Sequence, residues 1–232
     1  MRIAIDASTW GNNRGFGRFT RELVSAMVRG GQTNEYVLLA DDDLAAEVAG
    51  SLVQPMRVET ARRVVESATA DDRRGVRDVL AFRRAAAAAR PDVLFYPAAY
   101  SWFPPPSDLP NVVTFHDAIA EHFPELVFPK WRQRLPWTLK TWLAKRAADR
   151  ILTVSQSAKA EIITYLKIPG DRIDVICEGA APVFAPVADA TQRANARRAA
   201  GLAPGVRFLT YVGGFAPHKN LVRLFDAFDQ VL

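Results

Sequence analysis

Short apolar runs alternate along the chain with turn-rich segments and with stretches whose apolar residues recur at helical spacing. Arg2 to Asp6 predicts a first strand, and Gly15 to Arg29 predicts a helix with Phe16, Phe19, Leu23 and Met27 at that spacing. A second strand is expected at Tyr36 to Ala40 and a short third near Met56 to Glu59; Gly75 to Arg90 reads as an Ala-rich helix stopped by Pro91. Asp92 to Tyr96 and Asn111 to Phe115 are almost wholly apolar rather than alternating. Such runs suit a parallel sheet covered on both faces. After a long helical region come a strand at Ile151 to Val154, a helix at Ala158 to Leu166 and a last strand at Arg172 to Ile176. The succession predicts an α/β fold, a doubly wound parallel sheet, over residues 1–180.

Beyond it, residues 181–205, with Pro182 and Pro186, read as a linker carrying a helix near Thr191 to Gly201. Residues 206–232 hold a strand-like run, Val206 to Val212, and a helical pattern at Leu221, Leu224, Phe225, Phe228 and Leu232. One strand and one helix cannot bury two sheet faces, so this part is expected to open a second domain that is otherwise absent, and the chain to be an incomplete fragment.

Composition narrows the class. The 232 residues are 49% hydrophobic, which excludes a disordered chain. At about 150 residues per domain they suffice for one large domain and part of another. A single Cys and no zinc-ligand spacing exclude a disulfide scaffold, so a reducing compartment is the default. Arg2 and Asp6 interrupt any signal-peptide core, and no apolar run approaches the roughly 18 residues of a membrane span. A cytoplasmic protein is expected, attached at most to the inner membrane face. The net charge of +5, from 30 Lys and Arg against 25 Asp and Glu, is too mild an excess to argue for nucleic acid.

Four strand-end segments carry candidate chemistry. Arg14-Gly15-Phe16-Gly17-Arg18 follows the first strand and opens a helix, where glycines, helix amides and arginines complement an anion; a tight turn with solvated arginines is the plainer alternative. Thr114-Phe115-His116-Asp117 ends a buried strand, where open α/β sheets place ligand contacts; His116 is suited to bonding a sugar hydroxyl or handling a proton, or else is a structural His beside Asp117. Ser155, with Lys159 close behind, is expected first as a helix cap and second as a ligand contact. Tyr211 to Leu221 joins a strand through Gly213 and Gly214 to a helix near Lys219, a pattern suited to a diphosphate. His122 and His218 have less support, and the three histidines share no metal-ligand spacing.

A fifth feature is the stretch Pro129 to Arg150, where Trp131, Leu135, Leu139, Trp142 and Leu143 share a helical face among many cations. Most such faces pack on their own sheet, with Pro136 interrupting this one. The other reading is peripheral contact with an anionic membrane.

Together these segments resemble the retaining glycosyltransferases of the GT-B fold, specifically family 4. The resemblance rests on Arg14 to Thr20, Val113 to Asp117, Leu152 to Ser155 with Lys159, Ile173 to Phe184, and Tyr211 to Leu224. It implies two Rossmann-like domains facing across a cleft, with a carbohydrate or lipid-linked acceptor held mainly by the first and a nucleotide-sugar donor mainly by the second. Gly15 and Gly17 would then shape a loop over the donor phosphates and the acceptor, with Arg18, Asp117, Ser155, Gly213 and Gly214 as further donor or substrate contacts. His116 would contact the transferred sugar, and Lys219 would neutralise the departing diphosphate. No metal or other cofactor is implied. Gly214 stands where the family often has Arg, and this Gly-Gly-Phe version with Lys219 resembles polysaccharide mannosyltransferases, which favours GDP-mannose. The family's Glu-x7-Glu element is not found in these 232 residues. A different class remains open beside the enzyme: a non-catalytic acceptor-binding or membrane-docking subunit of a split glycosyltransferase. A flavodoxin-like or nucleotide-binding regulator is a third reading, which the two-domain junction at Pro182 to Pro186 argues against.

Overall fold

The structure, a computed structural model, describes residues 1–13, 15–30, 33–41, 53, 55–60, 75–128, 130–181 and 183–231. Arg14, Pro129, Pro182 and Leu232 lie outside the described residues. The chain divides into two compact units, Met1–Glu178 and Gly179–Leu232.

In the first unit seven strands form one parallel sheet. They are β1 (Arg2–Asp6), β2 (Glu35–Ala40), β3 (Pro55–Arg57), β4 (Val93–Tyr96), β5 (Asn111–Thr114), β6 (Arg150–Thr153) and β7 (Ile173–Val175). Their order is β3-β2-β1-β4-β5-β6-β7, and every adjacent pair is parallel. The apolar runs follow from burial on both faces. In β4, Leu94 and Tyr96 join one cluster with Ala4, Leu39, Phe82, Phe103, Val113 and Ile151. Phe95, on the opposite face, joins Ile3, Ile5, Leu38 and Val24, the last of these from α1 (Gly15–Gly30). Each Val, Leu, Ile or Phe side chain among them removed from water stabilises the unit by about 1.5–3 kcal/mol. The first face is closed by α2 (Val76–Ala88), whose Phe82 and Ala86 are fully buried. The third strand lies slightly earlier than the Met56 to Glu59 expected, because its register sets Pro55, Met56 and Arg57 against Leu38, Leu39 and Ala40.

The long helical region resolves into α3 (Ile119–His122), α4 (Pro124–Val127) and α5 (Trp131–Ala147). In α5 it is Trp137, Thr141 and Ala144 that are buried. The stripe of Trp131, Leu135, Leu139, Trp142 and Leu143 is exposed instead, so packing on its own sheet is not what this face does. The next helix starts earlier than expected, as α6 (Gln156–Glu161), and its last turn, Ile162–Leu166, widens to π geometry before Lys167 ends it with φ of 55°. Cys177, the sole cysteine, is exposed just before the end of this unit.

The second unit contains α7 (Ala190–Ala199), capped by Asp189, whose Oδ1 accepts from the Thr191 and Gln192 amides. It closes with α8 (Leu221–Asp229). The strand expected at Val206 to Val212 does not form; the segment is irregular, with Leu209 71% and Val212 91% exposed. A strand is completed by its neighbours, and none is present among the described residues of this unit.

Candidate functional site

Strand order reverses between β1 and β4, so the chain leaves their carboxyl ends in opposite directions and opens a crevice there. Asp6 ends β1 fully buried and accepts from the Ser8 amide at 3.2 Å and from the Ser8 hydroxyl. The loop that follows folds over the first turn of α1. The Thr9 and Thr20 hydroxyls meet at 2.7 Å, Thr20 Oγ1 donates to the Phe16 carbonyl at 2.9 Å, and Arg21 donates to the Trp10 and Asn12 carbonyls. A Cβ at Gly17 would overlap the Asn12 carbonyl and come within 2.8 Å of the Thr9 oxygen. Glycine is needed here for the close approach of loop to helix. Gly15 has open space around it, and Arg18 is exposed on the same turn.

His116 follows β5 and leans on that turn. Its ring meets Phe16 edge-on at 5.0 Å and Phe19 at 4.6 Å, and its Nε2 pairs with the Pro97 carbonyl at 2.9 Å. A carbonyl only accepts, so Nε2 carries the proton and the neutral ring presents Nδ1 as an acceptor. Burial holds the imidazole below its usual pKa, with the Pro97 bond, Glu178 and Asp117 opposing. Asp117 does not pair with His116; its Oδ1 accepts from the Ile119 amide at 3.1 Å and starts α3.

Behind Phe16 stands a second layer. Tyr100 meets Phe16 at 4.5 Å and Trp137 at 5.1 Å, and Trp137 Nε1 donates to Glu121 at 2.8 Å. Burial raises the Tyr100 phenol far above its usual range, with Asp117 and Glu121 adding to it. Burial also raises the Glu121 carboxyl, against the bond from Trp137. Sequence reasoning missed this layer and Asp6: the residues are distant in the chain and carry no motif, although the polar triplet Asp6, Ser8, Thr9 directly after a buried strand was a visible signal.

Other predicted residues have resolved roles. Ser155 Oγ accepts from the Ala158 amide at 3.0 Å and caps α6, while Lys159 Nζ donates to the Ile173 carbonyl at 2.7 Å. His122 stacks on Phe123 and Tyr165 with Nδ1 3.8 Å from Glu161. In the second unit, a Cβ on Gly213 would lie 2.6 Å from the Tyr211 hydroxyl, which donates to the Gly214 carbonyl at 2.8 Å; Gly213 thus makes room for that ring. Gly214 is open, and Lys219 is exposed at the end of a single turn, Pro217–Lys219. The first unit therefore gathers Gly15, Gly17, Arg18, His116 and Asp117 beyond the carboxyl ends of β1 and β5, with Ser155 at a neighbouring strand end, and the second carries Gly213, Gly214 and Lys219. Among the described residues no three His, Cys, Asp or Glu side chains converge as a metal site, and no helix is long and apolar enough to cross a membrane.

The profile of Glycosyltransferase Family 4 matches residues 13–182. No curated protein matches the chain. Among solved structures, it resembles Anabaena Alr3699/HepE in complex with UDP and glucose, at 14% identity and a TM-score of 0.51, covering 87% of this chain and 50% of that one. The same protein in complex with UDP-glucose aligns at 15% identity and a TM-score of 0.53, covering 86% and 49%. The chain thus spans about half the length of these structures.

Proposed function

The chain belongs to glycosyltransferase family 4, and from that membership we propose that it forms the acceptor-side part of an enzyme moving a hexose from a nucleotide sugar to a cell-envelope polysaccharide or lipid-linked acceptor, with retention. The observation that carries the reading is the contact of Phe16 and Phe19 with His116 at the crevice between β1 and β4. It brings the glycine turn of α1 and the end of β5 to one place, as a sugar bound between them requires.

In this reading His116, neutral and held by Pro97, offers Nδ1 to a hydroxyl of the transferred sugar. Gly17 keeps the loop flat against α1 so that the sugar and its phosphates approach the first-turn amides, with Gly15, Arg18, Asp117 and Ser155 around them. Lys219, with Gly213 and Gly214, receives the diphosphate. Negative charge grows on that leaving group as the glycosidic bond breaks, and a preplaced cation lowers the barrier. Attack comes from the face the leaving group departs from, and no metal is required. GDP-mannose is the preferred donor, from the Gly213-Gly214-Phe215 and Lys219 pattern; UDP-glucose, which the Anabaena structure holds, is the second reading.

Turnover is proposed for this unit joined to a donor-side domain, on the same polypeptide or on a partner. In such an assembly, His116→Ala and Lys219→Ala each lower the rate about 10²- to 10³-fold. Nucleotide-sugar consumption with and without acceptor measures it. Wild-type rates in both folded variants overturn the assignment. A melting-temperature screen of GDP-, UDP- and ADP-sugars chooses the donor, because only a binder of the native state raises it. A shift with UDP-glucose and none with GDP-mannose selects the second reading.

A further inference from the structure

We propose that the outward face of α5 docks on an anionic lipid bilayer. The helix is apolar on two opposite sides. One side, Trp137, Thr141 and Ala144, is buried. The other presents Trp131 68% exposed, Leu135 59%, Leu139 58%, Trp142 49% and Leu143 37%, a continuous stripe along a helix of 17 residues. Isolated exposed apolar residues are ordinary, but a stripe of two Trp and three Leu is a contact surface.

Charge identifies the occupant. Residues 130–147 contain Lys130, Arg132, Arg134, Lys140, Lys145 and Arg146 and no Asp or Glu. Lys140 and Lys145 are tied inward, to the Tyr100 and Leu166 carbonyls at 2.8 and 2.7 Å. Arg132, Arg134 and Arg146 make no ion pair among the described residues. By helical periodicity Arg132 and Arg146 fall within the apolar stripe, and the Arg132 guanidinium lies 5.5 Å from the Trp131 ring centroid. Cations interleaved with Trp and Leu on one helix face match the boundary between anionic headgroups and acyl chains. A nucleic acid would need rings displayed for stacking, and here Arg132 already lies over Trp131.

The docked helix is also close to the candidate site. Its inner face meets it through rings, Trp137 to Tyr100 at 5.1 Å, Tyr100 to Phe16 at 4.5 Å and Phe16 to His116 at 5.0 Å. A lipid-linked acceptor would therefore meet the crevice from the surface on which α5 rests. This last consequence rests on the proposed sugar transfer; the docking does not.

Vesicle flotation of the full chain tests the docking without any sugar chemistry. Binding is expected to vesicles of phosphatidylcholine with phosphatidylglycerol, weakening with salt, and not to phosphatidylcholine alone. The triple variant Arg132→Gln, Arg134→Gln, Arg146→Gln is expected to bind anionic vesicles about a hundredfold more weakly. Trp131→Ser with Trp142→Ser is expected to lose at least tenfold, along with the vesicle-induced blue shift of Trp fluorescence. Both variants change exposed positions and are expected to melt as the wild type does. Equal binding to both vesicle types, no binding to either, or wild-type binding by both folded variants overturns the proposal. So does a stable dimer that the Trp variant dissociates, or salt-sensitive RNA binding lost in the Arg variant, in a protein that leaves vesicles alone. Vesicle binding by a chain that turns over no nucleotide sugar even when joined to a donor-side domain leaves the docking standing and overturns only the transfer.

Discussion

The segments Val93-Leu94-Phe95-Tyr96 and Val206 to Val212 are similar as sequence: each is a short run rich in β-branched and aromatic residues. The first is a central strand, paired with β1 on one side and β5 on the other, with Leu94 and Tyr96 fully buried. The second forms no strand, and its apolar side chains stand in solvent. What separates them is the presence of neighbours, for backbone groups and for side chains. Strand propensity describes fitness for a pleated, half-covered surface, and it is realised only where that surface exists.

The sharpest way to test the contrast is to truncate one aromatic in each unit. Phe82→Ala, at a fully buried position, is expected to cost about 3–5 kcal/mol in urea unfolding of the first unit, whereas Phe208→Ala, 48% exposed, is expected to cost less than about 0.5 kcal/mol. Equal losses would mean that the second unit has a core of its own. Glycine supplies the next contrast. Gly17→Ala drives a methyl into the Asn12 carbonyl and is expected to destabilise by about 1–3 kcal/mol, while Gly214→Ala, with open space around it, shifts the midpoint little. A neutral Gly17→Ala would show that the loop over α1 moves freely.

Helix caps should differ least between the units. Ser155→Ala removes the acceptor for the Ala158 amide and is expected to cost about 1 kcal/mol. Asp189→Ala removes a cap of the same kind in the second unit, and far-ultraviolet circular dichroism of the two variants shows whether a local bond counts equally where the surrounding core does not. The smallest effect is in pH. His116 has its pKa lowered on folding, so its contribution to stability is complete above the unfolded value of about 6.5 and is lost as pH falls through that value toward the folded one. Glu121, raised by burial, acts with the opposite sign at lower pH. Subtracting the melting-temperature profile of His116→Asn from that of the wild type should therefore isolate a loss confined to the mildly acidic range; a flat difference would place His116 in solvent.

Much of the sheet was legible because burial on both faces leaves a local signature: β4 stands out as an unbroken apolar run and β5 as Val112-Val113 between Asn111 and Thr114, and Ser155 announces α6 by its position alone. The glycine turn was legible as a position, but its packing was not. Nothing local in the sequence shows that the Asn12 carbonyl lies over Gly17, or that the Tyr211 ring lies against Gly213. Periodicity also could not orient α5. With Trp residues on both of its faces, only the rest of the fold decides that Trp137 turns inward and Trp131 outward. The contacts linking Glu121, Trp137, Tyr100 and Phe16 join residues far apart in sequence, and no spacing rule encodes them.

The lone Cys177 has a practical consequence. Thiol-reactive dyes and spin labels usually require stripping native cysteines and adding a new one; here the chain has one, exposed, one residue before the first unit ends. A maleimide probe on this chain of 232 residues would thus report from a single defined address, and would register whether adding a nucleotide sugar, a vesicle or a donor-side partner changes the surroundings of that junction.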